Sequence, residues 1–202
     1  MKRTVPPESW MLALRDLLAA PPPRRLPPSE QRPSAVLVPL FVDAGQLWVL
    51  LPRRSDDLPQ HRSQIAFPGG SLEPGETPWQ AALRESEEEL GIDPAQVVPL
   101  GQLDEIGAEV SNFRIVPCVA AVPYPLTTTP NPDEVAEVFP VPLLAFLDPR
   151  LVEERTVRVD GRSRTLRMYH VGTRSVGGLT AQILGQLTSR LGLGTPAEPP
   201  ES

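Results

Sequence analysis

Three acidic side chains stand close enough in this sequence to hold a cation together. Glu85, Glu88 and Glu89 occupy positions i, i+3 and i+4, so on a helix their carboxylates project from one side while Glu87 is rotated away. The local sequence favours such a helix. Thr77 is a fitting N-cap, Pro78 suits the first helical position, Gln80 closes a capping box, and Gly91 stands at the usual C-terminal stop. The spacing predicts a helix over 77–90, with Trp79, Leu83, Ser86 and Leu90 as the stripe that faces a core. Like charges at such spacing repel by roughly a few tenths of a kcal/mol per pair. They also sit in the last two turns, where the helix dipole prefers cations. Arg84 relieves part of this through Glu88. Hard divalent cations such as Mg²⁺ or Mn²⁺ would resolve the conflict, because they favour carboxylate and carbonyl oxygens. A plain solvated acidic face is the alternative, and the helix alone does not decide between them.

The segment before the helix adds to the chemistry. Phe67-Pro68-Gly69-Gly70 places two glycines near the helix entry, where a backbone carbonyl or amide can approach a metal or phosphate; a simple turn is the other reading. Arg53, Arg54 and Arg62 are local positive charge in an acidic chain. Arg53 and Arg54 suit an anion contact, and Arg62 suits a solvated loop. His61 lies in the same polar loop and is a candidate substrate contact, whereas His170 ends a strand and reads as structural. No spacing pairs the two histidines as metal ligands. Cys118 falls in an apolar strand and reads as a small core residue, not a nucleophile.

These residues need a scaffold. Ala35 to Val42 reads as a strand, Asp43-Ala44-Gly45 as a turn, and Leu47 to Leu51 as the hairpin partner. Arg53 to Ser63 is a polar loop, and Ile65 to Gly70 leads into another turn. After the helix, Val97 to Leu103 and Phe113 to Val122 are strand-like with an acidic loop between them. Asp133 to Val138 opens a further segment that continues into the strand-like Phe139-Pro140-Val141. Residues 156–160 and 164–171 suggest a hairpin around Asp160-Gly161, and Thr180 to Leu191 a closing helix. Strands and helices mix without regular βαβ alternation, which favours an α/β fold with a mixed sheet sandwiched between helices. Residues 1–34 read as an appendage. Ser9 caps a short helix over Trp10 to Leu18, whose face of Trp10, Leu14, Leu17 and Leu18 packs on the domain, and a proline-rich arm follows. The domain spans 35–192 and a loose tail 193–202.

Composition narrows the class. The chain has 202 residues, 40% hydrophobic and 22% charged, which suits one globular domain with a core. Its net charge of −6 without a basic run argues against a nucleic-acid polymer as partner. No apolar run approaches the ~18 residues of a membrane span, and Glu8, Arg15 and Asp16 break up any signal-peptide pattern. A single cysteine is compatible with a reducing cytoplasm. The oligomeric state is left open.

Gly70, five residues, Glu76, seven residues, Arg84-Glu85, two residues, Glu88-Glu89, one residue, Gly91-Ile92 resembles the complete signature of the Nudix hydrolase family. Ser86 departs from it, standing where the family has an aliphatic residue. Upstream, Leu50-Leu51-Pro52-Arg53-Arg54-Ser55, then eleven residues, then Phe67-Pro68-Gly69-Gly70 is similar to the extra motif of the coenzyme A diphosphatase branch. Pro52, Pro59 and Ser63 replace its typical threonine, arginine and glycine. Val176 to Ala181 resembles a second segment of that branch, with Gly177 in place of tryptophan. Asp133 to Val138 followed by Val141-Pro142-Leu143 is similar to Nudix chains in general.

The resemblance implies the Nudix fold and attack of water on a phosphorus of a nucleoside diphosphate derivative, with Mg²⁺ or Mn²⁺ as cofactor. It implies Glu85 and Glu89 as principal metal ligands, Glu88 as a further ligand or the general base, and the Gly70 carbonyl as a possible extra donor. Glu76 and Arg84 would orient the loop and hold the carboxylates, Arg84 completing a catalytic set with Glu85, Glu88 and Glu89. Asp104-Glu105, Glu109 and Asp133-Glu134 are other candidate bases. Arg53, Arg54, Phe67, Gly69 and Gly70 form the expected substrate-binding set for a small coenzyme A-like nucleotide. Two alternatives stand beside this: a Nudix enzyme acting on ADP-ribose or a nucleoside triphosphate, and a non-catalytic Nudix-fold binding protein. The latter commonly lacks the helix acids that this chain retains.

Overall fold

The structure is a computed structural model that describes residues 7–57, 63–108, 112–159 and 162–193. Helix α1 (Pro7–Ala19) is followed by an extended arm and then strands β1 (Arg32–Asp43), β2 (Gln46–Arg54) and β3 (Gly69–Ser71). Helix α2 (Pro78–Leu90) leads to β4 (Val98–Gln102), β5 (Ile106–Ala108), β6 (Phe113–Ala121) and β7 (Val135–Pro142). A short 3-10 turn at Leu143–Leu147 precedes β8 (Val152–Val159), β9 (Arg162–Val171), β10 (Arg174–Val176) and helix α3 (Gly178–Arg190).

Seven strands make one mixed sheet in the order β4-β6-β1-β2-β7, with β3 added to β1 and β5 to β6. The β1–β6 pair is parallel and its neighbours are antiparallel. Both faces are covered, which is why β1 reads as an unbroken apolar run. Ala35, Leu37 and Phe41 point with Leu50, Cys118 and Ala120 toward Ala81, Ala82 and Leu90 of α2. Val36, Val38 and Leu40 point with Val49, Leu51 and Val119 to the other side, where α1, α3 and a separate sheet of order β10-β9-β8 close the core. Alternation along a strand thus divides one run between two layers.

Several elements differ from the sequence pattern. β1 starts at Arg32, within the proline-rich arm, because backbone pairing with Phe113 on β6 begins there. Ser9 lies inside α1, which begins at Pro7, and not at the position before the helix. Leu14 and Leu18 are buried and Trp10 and Met11 pack beside them, but Leu17 is 42% exposed. The Ile65–Gly70 segment does not end in a mere turn. Gly69 to Ser71 form β3, paired with Val36 to Ser34. The acidic loop after β4 contains β5, and the late hairpin begins at Val152 and is extended by β10. The Asp160-Gly161 turn and residues 194–202 lie outside the described residues.

The arm is tied down by the acids that follow β4. Asp104 accepts from the Arg24 amide (2.9 Å) and from Arg190 of α3 (2.6 Å), and Glu105 accepts from the Leu26 amide (2.8 Å). Arg15 of α1 grips the Pro99 carbonyl at 3.0 and 3.1 Å. Helix α1 is therefore part of the fold, with Leu18 1% exposed against Gly101. Replacing Leu18 by Ala should cost about 2–4 kcal/mol of stability by deleting buried methyls and leaving a void. Urea unfolding checks this, and a loss below about 1 kcal/mol would mean the void collapses or α1 is dispensable.

Candidate active site

Helix α2 forms as its ends dictate. Thr77 accepts from the Gln80 amide while the Gln80 side chain accepts from the Thr77 amide, completing the capping box, and Gly91 adopts φ 66° and ψ 27° at the C-terminal stop. That left-handed geometry suits glycine, and a Cβ there would also collide with Thr129. The loop carrying Thr129 caps the helix from outside. The Thr129 amide bonds the Leu90 carbonyl and the Asn131 amide the Glu89 carbonyl, both at 2.9 Å. Ser86 faces the core as the pattern requires. It is fully buried, and its hydroxyl donates to the Ala82 carbonyl one turn back at 2.6 Å. The departure at Ser86 is thus absorbed within the helix.

The acids of α2 take three environments. Arg84 donates to Glu76 at 2.9 and 3.2 Å, to Glu85 at 2.8 Å, to Glu88 at 3.3 Å and to the Ser71 carbonyl at 3.1 Å. All five guanidinium N–H groups are thereby engaged. Glu76, which also accepts from the Glu73 amide, is held below the usual carboxylate range, by Arg84 first and by that amide second. Glu88 is open to solvent, with 57% of its side chain exposed, while Glu85 is mostly covered. Glu89 lies beyond this network. It is 6% exposed, and the Gly69 amide approaches it at a long 3.4 Å.

Burial pushes the Glu89 carboxyl up to about 7. The Gly69 amide opposes that shift, nearby Glu134 adds to it, Arg54 opposes it, and Glu85 adds to it. The site therefore lacks positive charge where it is driest.

Strand β3 supplies the opposite wall. A Cβ at Gly70 would run into the Glu85 carboxylate, and one at Gly69 into the Ala35 carbonyl and Val36. The two glycines thus let β3 pass between β1 and α2. The Gly70 carbonyl accepts from the Ser34 hydroxyl at 2.6 Å and, in the β1–β3 ladder, faces the Ala35 amide, so a cation there would compete with one of these donors. Glu85, Glu89 and the Gly70 carbonyl fit a hard cation in kind, as an all-oxygen set beside an under-compensated buried carboxylate. Among the described residues no three acid, histidine or cysteine side chains converge ready-made on one point, so a cation would have to draw them together against Arg84.

The expected substrate-binding residues do not all gather here. Arg54, at the end of β2, is near enough to Glu89 to favour its ionised form, and its buried Nε has no hydrogen-bond partner. Arg53 turns away, because neighbours on a strand face opposite sides. It bonds Asp56 at 2.8 Å and shares Glu137 with Arg174, whose guanidinium lies 4.3 Å from the centre of the Phe139 ring. Phe67 is 5% exposed and belongs to the core layer opposite α2. Among the described candidate bases, Glu134 acts electrostatically on Glu89, whereas Asp104 and Glu105 hold the arm. His170 bonds Glu153 and Ser175 in the second sheet, and Cys118 is a buried core residue whose thiol burial raises to about 11. His61, Pro59, Arg62 and Glu109 lie outside the described residues. Arg174 and Glu137 had no local signal, since their partners are remote in sequence.

A mixed sheet with α2 on one face, a glycine strand beside it and acids on its last turns defines a Nudix domain. The NUDIX domain model matches residues 31–158, more than half of the chain, which therefore belongs to the Nudix hydrolase family of pyrophosphohydrolases. Family members generally use divalent metal ions. Among relatives, the protein named uncharacterized Nudix hydrolase NudL from Pectobacterium atrosepticum is 38% identical over 172 residues, covering 84% of this chain and 88% of that one. Mouse peroxisomal coenzyme A diphosphatase NUDT7 is 35% identical over 136 residues, covering 67% of this chain and 57% of that longer protein. In structure the chain is similar to the Nudix hydrolase RenU from M. smegmatis, with TM-score 0.50, 27% identity, and coverage of 58% and 74%.

Glu89 makes the metal-free fold sensitive to pH. Below about 4.5 the carboxyl is protonated folded or unfolded and costs nothing; between 4.5 and 7 the unfolded chain releases the proton while the fold retains it, so stability falls as pH rises. Above 7 the full penalty applies, on the order of 3 kcal/mol. Without metal, E89Q should be the more stable protein at pH 8, by up to about that amount, with the difference vanishing near pH 4. Thermal melts of both proteins in chelator across this range decide it. Equal stability at pH 8 would show that Glu89 is not ionised at a cost.

Proposed function

We propose that this Nudix hydrolase cleaves the diphosphate bond of coenzyme A or an acyl derivative, giving a 4′-phosphopantetheine product and adenosine 3′,5′-bisphosphate, with Mg²⁺ or Mn²⁺ as cofactor. The observation that carries the metal chemistry is Glu89, a buried carboxylate on an oxygen-lined site with too little positive charge around it. The substrate rests on the coenzyme A diphosphatase motif around Arg53-Arg54-Ser55 and Phe67 to Gly70, and on the likeness to the mouse enzyme. A cytoplasmic setting is inferred from the single buried thiol.

In this reading Glu85 and Glu89 hold the cation, with the Gly70 carbonyl beside them. The bound metal would neutralise the diphosphate and acidify the attacking water. Glu88 is solvent-exposed on the same face, in position to accept a proton from that water or to join the metal. Arg84 is a positioning residue: its donors are all committed to Glu76, Glu85, Glu88 and Ser71, so it fixes the carboxylates and leaves substrate to others. Arg54 is the better anion contact, since its buried Nε is unpartnered and its charge acts on Glu89. Arg53 is already held by Asp56 and Glu137.

Pro59, Ser63 and Gly177, where the coenzyme A branch has arginine, glycine and tryptophan, support a second reading. In it the same machinery acts on ADP-ribose or a nucleoside triphosphate. Coenzyme A, acetyl coenzyme A, ADP-ribose and nucleoside triphosphates, incubated with Mg²⁺ or Mn²⁺ and analysed by mass, separate the two. Adenosine 3′,5′-bisphosphate as the fastest-forming product supports the first reading, and its absence beside turnover of ADP-ribose or a triphosphate supports the second. Either way, E89Q should lower kcat by roughly 10²-fold or more, on the scale of losing one principal electrostatic group, and chelator should abolish turnover. Retained activity in E89Q would remove Glu89 from the mechanism.

A further inference from the structure

A strand at the margin of a sheet offers unpaired N–H and C=O groups to any chain that can lie beside it, and folds usually blunt such edges. In the seven-stranded sheet, β4 packs with α1 and contains Pro99, and β7 carries Pro140 and Pro142, which have no N–H to donate. Beside β5, Gly107 packs against Leu26 and Gln31 of the arm. In the second sheet, β10 is only three residues long. β8 differs from all of these. It is eight residues long, has no proline or glycine, and among the described residues pairs with β9 on one side only. Along it Glu154, Arg155, Thr156 and Arg158 are exposed, and Leu166 and Met168 stand exposed on neighbouring β9 at 52% and 37%.

We propose that β8 pairs antiparallel with β8 of a second copy of this chain, joining the two small sheets into one continuous sheet across a two-fold axis. Symmetry restricts the register. An axis perpendicular to a sheet keeps each side chain on its own face, and facing residues in an antiparallel pair share a face. Since faces alternate along a strand, the numbers of two facing residues must sum to an even value. The end-to-end register, with Val152 opposite Val159, is therefore forbidden. Of the two long registers beside it, one sets Arg155 against its own copy, a like-charge contact. The other centres Thr156 on the axis and sets Glu154 opposite the partner's Arg158, twice by symmetry.

The second register is the one that the charges favour. Glu154 is already bonded to Arg167 across the β8–β9 pair at 2.6 and 2.8 Å, so in the dimer it would lie between two cations on adjacent strands. Arg155 would then face Val157, and the axial threonines would face each other, a favourable pairing in sheets. Charges along an edge ordinarily discourage indiscriminate pairing. Here their order rejects one long register and favours the other.

Sedimentation of the full chain over a concentration series tests this. The expected result is a reversible species of twice the 22.1 kDa chain mass. Arg158 is exposed, so R158E should leave the far-ultraviolet circular dichroism of the folded chain unchanged while weakening the dimer roughly tenfold or more, two cross-strand pairs having turned repulsive. A monomer at every concentration, or a dimer that R158E leaves intact, overturns the proposal. Should R158E fail to fold, T156C replaces it. Mild oxidation then gives a disulfide-linked dimer if Thr156 sits on the axis, and absence of that product overturns the pairing.

Discussion

Arg84 commits every donor of its guanidinium to Glu76, Glu85, Glu88 and the Ser71 carbonyl, and by doing so leaves Glu89 to itself. The acidic face of α2 depends on this division. One cation can organise the solvent-facing acids, but it cannot reach around the helix to the carboxylate under β3. The long Gly69 amide contact and the more distant charge of Arg54 offset only part of that group's desolvation. A fold selected for stability alone would place a neutral side chain there. Keeping an ionisable one where it is costly makes sense when a bound cation supplies the missing charge.

The rest of the fold serves the distance between β3 and α2. Strand β3 can run there because neither Gly69 nor Gly70 has a Cβ, and it is fixed there by pairing with β1 and by the Ser34 hydroxyl on the Gly70 carbonyl. Helix α2 is held from the other end by backbone amides of the 129–131 segment, the same stretch that brings Glu134 toward Glu89. Both supports are backbone interactions or a single short side chain. They hold the site in place while leaving the long side chains free for chemistry.

Local features of the sequence disclosed the helix and its acids well. The capping box of Thr77 and Gln80, the stop at Gly91 and the grouping of Glu85, Glu88 and Glu89 are all short-range signals. Residues with non-local partners were harder to place. Arg53 and Arg54 are adjacent in sequence, yet strand alternation sends them to opposite faces, and only the pairing of β2 with β7 reveals that Arg53 meets Glu137. Phe67 sits in a motif, but its burial follows from the layer formed by α3 and the second sheet. Asp104 and Glu105 had the residue types of catalytic bases. Their true partners, in the arm and at the end of α3, lie about 80 residues away along the chain.

That last contact also bears on how the chain acquires its final form. Arg190, near the end of α3, reaches both Asp104 and the Pro21 carbonyl of the arm. During synthesis the side chain that clasps the arm emerges more than 160 residues after it. The arm is thus fastened to α3 only after the strands and helices between them have been made.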